Sequence, residues 1–104
     1  MKAMQIVSFD GPAGLRYQDA PAPEPGPGQI AVDVDYAGVG YVEALFAEGF
    51  VPLDLPWTPG LEVTGRVRAL GEGVGGYRVG DTVVALTITG GGGYGQVAVA
   101  QAEL

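Results

Sequence analysis

Cysteine and histidine are missing altogether from the 104 residues. Disulfides are thereby excluded, as are the thiolate and imidazole sets that hold zinc. Nucleophilic cysteine and any Ser-His pairing fall for the same reason. Positive charge is scarce. Lys2, Arg16, Arg66, Arg68 and Arg78 stand against twelve acids, for a net charge of −7. Such a surface repels phosphate backbones and anionic bilayers, so neither nucleic acid nor a membrane is an expected partner. The acids are scattered and lack the D-x-D-x-D-G spacing of a calcium loop. No apolar run approaches the roughly 20 residues of a membrane helix. The opening Met1-Lys-Ala-Met-Gln5 has no secretory character, so the expected compartment is the cytoplasm.

Glycine is abundant, with 19 residues beside eight prolines, and 47% of the chain is hydrophobic. That composition suits one folded domain with a single modest core. The glycines and prolines punctuate short β-prone runs, which predicts a small barrel or sandwich rather than a helical bundle. Strands are expected at Lys2 to Phe9, Leu15 to Gln18, Gln29 to Val39, Leu61 to Leu70, Asp81 to Leu86 and Tyr94 to Ala100. In the third, Ile30, Val32, Val34 and Tyr36 alternate with Ala31, Asp33 and Asp35, the period of a strand with one wet face. In the fourth, Val63, Gly65, Val67 and Ala69 face one way, and Thr64, Arg66 and Arg68 the other. Gly65 inside that strand signals a bulge or a close backbone approach. Pro21 to Gly28 reads as an extended surface connector. Tyr41 to Glu48 is the one stretch with helical spacing, stopped by Gly49. Phe50 to Pro59 is a proline-broken loop carrying the sole tryptophan, Trp57.

Gly71-Glu-Gly-Val-Gly-Gly76 matches G-x-G-x-x-G letter for letter. The fingerprint works only when its glycines open a helix whose N-terminus faces a pyrophosphate. Here three residues separate the motif from Gly80-Asp81 and the next strand, which leaves no room for a helix. An acid about 20 positions onward, for the ribose, is also missing. The segment reads as a hairpin-type turn. Gly90 to Gly93 has no following Lys-Ser/Thr and is no phosphate loop. The chain therefore holds no nucleotide-binding βαβ unit of its own.

Taken in order, Thr58-Pro-Gly60, Glu62, Gly65, Gly71-Glu-Gly-Val74, Val79-Gly-Asp81, Val83-Val84 and Gly92-Gly-Tyr94 form a specific set. This set resembles the GroES-like N-terminal domain of the medium-chain dehydrogenase/reductase superfamily, over essentially all 104 residues. The resemblance implies a mainly β fold, a partly open barrel with one or two short helices. In the alcohol dehydrogenase branch a zinc-binding Cys stands where this chain has Gly40, and a His where it has Leu61. Neither is present, so the chain looks like the zinc-free quinone oxidoreductase and enoyl reductase branch. Its members reduce a quinone, an enone or an enoyl thioester with hydride from NADPH. Without a Lewis acid, charge developing on the substrate oxygen must be met by hydrogen bonds or a proton.

By the same resemblance, the substrate and cofactor cleft is expected at Gly40, Tyr41, Leu45, Leu61 and Glu62, with Phe50 nearby. The branch usually has Asn at position 40 and Tyr at position 45. Gly40 and Leu45 remove both, leaving Tyr41 as the weak catalytic candidate. Glu43 keeps an acidic position of the pattern. Glu62 matches a carboxylate beside the former metal site, and its expected role is structural, with Arg66 or Arg68 as partner. The chain is expected to be the first part of a protein of about 300 or more residues, whose Rossmann domain binds most of the NADPH. The resemblance leaves room for a homodimer of that longer protein without fixing its oligomeric state, and the 104 residues alone should be inactive. The alternative is a free-standing GroES-like binding or interaction module.

Overall fold

The computed structural model describes residues 1–38, 49, 54–87 and 92–102. Its strands are β1 (Lys2–Ile6), β2 (Leu15–Asp19), β3 (Gln29–Ala37), β4 (Glu62–Leu70), β5 (Thr82–Leu86) and β6 (Val97–Gln101). They form a β1-β2 hairpin and a four-stranded antiparallel sheet in the order β5-β4-β3-β6. The hairpin is joined to the larger sheet through bridges from Ala3 to Gly95 and from Ile6 to Trp57. Hydrogen bonds from Met4 N to Tyr94 O (2.9 Å) and between Ile6 and Trp57 in both directions (2.7 and 3.1 Å) seal that seam. The result is a pair of open sheets around one core, the mainly β architecture expected from the sequence.

All six strands lie where the glycine and proline punctuation placed them, though several are shorter. β1 ends at Ile6, because Gly11–Gly14 forms a 3-10 turn started by Pro12 that the sequence reading did not foresee. β6 begins at Val97 rather than Tyr94, because residues 92–95 turn back onto the 58–60 segment. The helix expected at Tyr41 to Glu48 lies outside the described residues.

The core is made by the inward faces of the sheet. Ile30, Val32, Val63, Val67, Ala85, Ala98 and Ala100 are each at most 5% exposed and pack as one cluster. At about 25 cal/mol per Å² of apolar surface, such branched side chains contribute roughly 1.5–3 kcal/mol apiece. On β4 the predicted alternation holds along Val63, Gly65 and Val67, with Arg66 and Arg68 exposed. On β3 it fails at two places. Ala31 is buried between buried Ile30 and Val32, so the early residues of β3 are covered on both faces. Tyr36, expected on the inward side, is 78% exposed. The cause is the register: Val34 pairs with Gly65 but Tyr36 with Thr64, so Asp35 is an extra residue on β3. One inserted residue reverses the parity of the strand beyond it. Tyr36 is thereby turned outward, and Ala37 packs against the core instead. Gly65 sits opposite this bulge. A Cβ there would run into the carbonyl oxygen of Asp33 and lie 2.9 Å from Val32 Cγ1. The close approach anticipated at Gly65 is real.

Candidate active-site cleft

The turn before β4 fixes the cleft segment that the sequence reading singled out. Four consecutive carbonyls, from Thr58 to Leu61, all accept hydrogen bonds. Gly92 N donates to Thr58 O (2.8 Å), Tyr94 N to Pro59 O (2.9 Å), Gly93 N to Gly60 O (3.2 Å) and Thr87 N to Leu61 O (2.7 Å). Thr87 Oγ1 adds a second bond to Gly60 O at 2.5 Å. Gly60 has φ +109°, and a Cβ on it would stand 2.6 Å from Gly93 Cα. Only glycine fits such a torsion and such crowding together. Thr87, 1% exposed, was not singled out by sequence reasoning. A threonine ending a β-strand carries no signal of its own, and its role appears only once β5 is beside β4.

From this turn the chain enters β4 with Leu61 half-buried and Glu62 exposed. Glu62 pairs with Leu86 across β5, and its carbonyl accepts from Gly38 N at 3.0 Å. Its side chain lies over Gly38, where a Cβ would be 2.5 Å from Glu62 Oε1 and 2.8 Å from Cγ. The turn is thus brought against the end of β3, two positions before Gly40. Gly40, Tyr41 and Leu45 themselves, with Glu43 and Phe50, lie outside the described residues. Of the expected site residues, Leu61 and Glu62 are the two the structure places.

Beside Glu62 is a shallow pocket of 340 Å³ lined by Tyr36, Ala37, Gly38, Val63, Thr64 and Val84. Tyr36 brings a phenol to it, by virtue of the Asp35 bulge. The signal that could have found it was Gly65, since a bulge next to that glycine implies a change of parity on the neighbouring strand. A carboxylate, a phenol and a hydroxyl on an apolar floor can orient a polar group of a small molecule. Among the described residues there is no group of three or more acids able to hold a metal ion.

The expected ion pair of Glu62 with Arg66 or Arg68 is not formed. Arg68 Nη1 lies 2.9 Å from Asp33 Oδ1, and Arg66 Nη2 lies 3.7 Å from Asp35 Oδ1. Along an extended strand Arg66 is roughly 13 Å from Glu62, at about 3.3 Å per residue. The acids opposite on β3 are closer. Glu62 is exposed and so needs no buried partner.

Gly71 to Gly76 connects β4 to its antiparallel neighbour β5 and forms turns, with no helix behind it. The geometry required for a pyrophosphate is absent from that segment. Among the described residues, no βαβ unit for a dinucleotide is present.

Comparisons with known proteins agree with this geometry. The alcohol dehydrogenase GroES-like domain model matches residues 26–104. The quinone oxidoreductase of Sus scrofa is 38% identical over 104 aligned positions, covering 96% of this chain and 31% of its own length. The structure of mycobacterial Rv1454c complexed with NADPH superposes with a TM-score of 0.89 at 35% identity, covering 100% of this chain and 32% of the other. That of the human synaptic vesicle membrane protein VAT-1 homolog-like protein gives 0.93 at 30% identity, covering 100% and 33%. The chain spans about a third of the length of these relatives. It belongs to the alcohol dehydrogenase GroES-like domain family of the medium-chain dehydrogenase/reductase superfamily.

Proposed function

We propose that these residues form the N-terminal, substrate-cleft domain of an NADPH-dependent, zinc-independent oxidoreductase that reduces a quinone, an enone or an enoyl thioester. The observation that carries this reading is the likeness, along nearly the whole chain, to quinone oxidoreductases and to a structure complexed with NADPH. Zinc independence rests on Gly40 and Leu61, which stand where the metal-binding branch has its Cys and His. NADPH supplies the hydride. In this reading a Rossmann domain of a longer chain holds it, as the span of about a third of the relatives' length supports. This domain contributes the wall at Leu61, Glu62 and Gly38, and the family resemblance assigns Gly40, Tyr41 and Leu45 to the same cleft.

The test is to express the natural coding sequence through and beyond Leu104 and to follow NADPH oxidation with a naphthoquinone. Turnover is expected, unchanged by EDTA, and residues 1–104 alone should show none. No oxidation with quinones or enones in the longer protein would sink the reading, and strong inhibition by EDTA would remove zinc independence. The loss of the branch's Asn at position 40 and Tyr at position 45 favours a second reading, a free-standing GroES-like binding module. A stop codon directly after Leu104 would decide for it.

A further inference from the structure

A second and larger pocket, of 460 Å³, lies between the β1-β2 hairpin and β6. It shares no lining residue with the pocket at Glu62. Its volume is in the range of about 300–1,000 Å³ typical of small-molecule sites. Pro21, Pro23, Pro56, Trp57, Val97 and Val99 give it an apolar wall. Its charge comes from Met1, whose terminal ammonium donates to Ala20 O at 2.8 Å, and both residues line the cavity. Among the described residues no acid lines it. Asp19, beside Ala20 in sequence, pairs with Lys2 and stands outside the lining.

Met1 is held at both of its ends. The ammonium is bound just past β2, and Met1 Sδ accepts from Val97 N at 3.3 Å at the start of β6. The positive charge is thus fixed in the seam between hairpin and sheet. An ammonium carries three protons, and Ala20 takes one of them, which leaves two for a ligand. A neutral donor is prepared by a chain of amides. Gln18 Nε2 donates to Gln5 Oε1 at 2.7 Å, and Gln5 Nε2 donates to Thr58 Oγ1 at 3.1 Å. The Thr58 hydroxyl is an acceptor there, so its own proton is left to donate. Thr58 lines the pocket, and its main chain is pinned by the bond from Gly92 N. One cation and a hydroxyl donor between apolar walls without an acid select an anion with an apolar body. That anion carries a single charge. A second would meet no partner in the cavity, and the field of a chain of net charge −7 would oppose it. A phosphate dianion is therefore disfavoured, and a monocarboxylate fits.

We propose that this pocket binds a small amphipathic monocarboxylate, with its carboxylate on the Met1 ammonium, its apolar body along Val97, Val99 and Trp57, and Thr58 as a neutral donor. The site uses neither the cleft at Glu62 nor hydride transfer, and it does not rest on the proposed reduction. 2-Naphthoate and its amide, 2-naphthamide, share one ring body and differ in the charge that the ammonium meets. Calorimetric titration of the 104-residue chain should show saturable binding of 2-naphthoate. Its affinity should exceed that of 2-naphthamide at least about tenfold, the size of a charge-assisted hydrogen bond. The indole N–H resonance of Trp57, the only tryptophan, should shift with the same midpoint. Acetylation of Met1 alone removes the charge and keeps an N–H for Ala20 O. It should bring 2-naphthoate down to the affinity of 2-naphthamide and change the amide by less than about twofold, a cycle that isolates the charge pair. Val99→Phe, which fills the cavity from β6, should weaken 2-naphthoate at least about tenfold while leaving the strand signal in circular dichroism intact. Equal affinities for the two ligands overturn the proposal, as does 2-naphthoate binding that survives acetylation. Should the acetylated chain fail to fold, wild-type affinity in Val99→Phe overturns it by itself. Loss of 2-naphthoate binding in the longer natural protein would overturn it too.

Discussion

Two glycine-bearing segments flank β4, and they are built on opposite principles. The turn from Thr58 to Leu61 is laced at every carbonyl to Thr87 and to residues 92–94, with Pro59 and Gly60 buried. The connection from Gly71 to Asp81 is tied at its ends and at a few points between, where Tyr77 Oη donates to Ala102 O (3.0 Å) and Val74 packs against the core. Gly71 N donates to Gln29 O (2.8 Å) and Gly80 N to Val67 O (2.7 Å), while a Cβ on Gly73, Gly75 or Gly76 would meet nothing within 4 Å. In the first segment glycine is demanded by its neighbours. In the second, Gly71 is also demanded by a neighbour, the Gly26 carbonyl oxygen, whereas Gly73, Gly76 and Gly80 are demanded by torsion alone and Gly75 by neither. The motif that matches a dinucleotide fingerprint is therefore the less constrained of the two. The turn without any motif for a ligand is the part that shapes the cleft.

The contrast is broken most severely at Gly60. In Gly60→Ala the new methyl meets the Gly93 backbone, and φ +109° adds torsional strain. A loss of about 3 kcal/mol is expected from overpacking and strain together. Chemical denaturation would read it as a lower midpoint, and a loss under about 1 kcal/mol would show that the 92–94 segment yields easily. Thr87→Val removes one bond to Gly60 O and leaves the weaker one from Gly93. The expected loss is about 1–2 kcal/mol, from one buried hydrogen bond. An unchanged midpoint would mean that the lacing depends on the main chain alone.

The other side of the comparison is tested by two substitutions in the loop. Gly73 has φ +80° and open space around it, so Gly73→Ala should destabilise by about 1 kcal/mol through torsion only. Gly75 has neither a positive φ nor a neighbour. Gly75→Ala should be neutral or stabilise by about 0.5 kcal/mol, by restricting the unfolded chain. Equal effects at the two positions would contradict the distinction drawn here.

The same contrast decides how much of the molecule was legible in the sequence. Strand positions were legible because glycine and proline mark the ends of β-runs by torsion, which is a local property. The inner face of β4 was legible because Val63, Gly65 and Val67 keep period two. What stayed hidden was set by pairing across strands. The Asp35 bulge exists in the register between β3 and β4, so Tyr36 could not be placed outward from β3 alone. Thr87 looked like any strand-end threonine until β5 brought it to Gly60. The partners of Arg66 and Arg68 followed from the acids facing them across the sheet, not from the acid on their own strand. For the cleft, Leu61 and Glu62 were found through the family pattern. Local spacing alone would not have singled out either.

The smallest effect should come from the periphery. Lys2 Nζ and Asp19 Oδ1 pair at 2.9 Å between β1 and β2, with side chains 46% and 80% exposed. The hydrogen bond from Lys2, and then its charge, hold the Asp19 carboxyl below its ordinary value of 3.8. A depressed folded-state value means that any stabilisation is present above the ordinary carboxylate range. It is lost as pH falls through the folded value. Such a pair is screened by water and salt and orders two mobile side chains, so its net contribution is small. Asp19→Asn should therefore leave the midpoint at neutral pH nearly unchanged, and any difference should vanish in high salt and once pH has fallen through the folded-state value. If Asp19→Asn instead destabilised as much as Thr87→Val, the hairpin would be held by its exposed charges. The backbone seam of Ile6 with Trp57 and of Met4 with Tyr94 would then have to be demoted as the element that fixes the two sheets together.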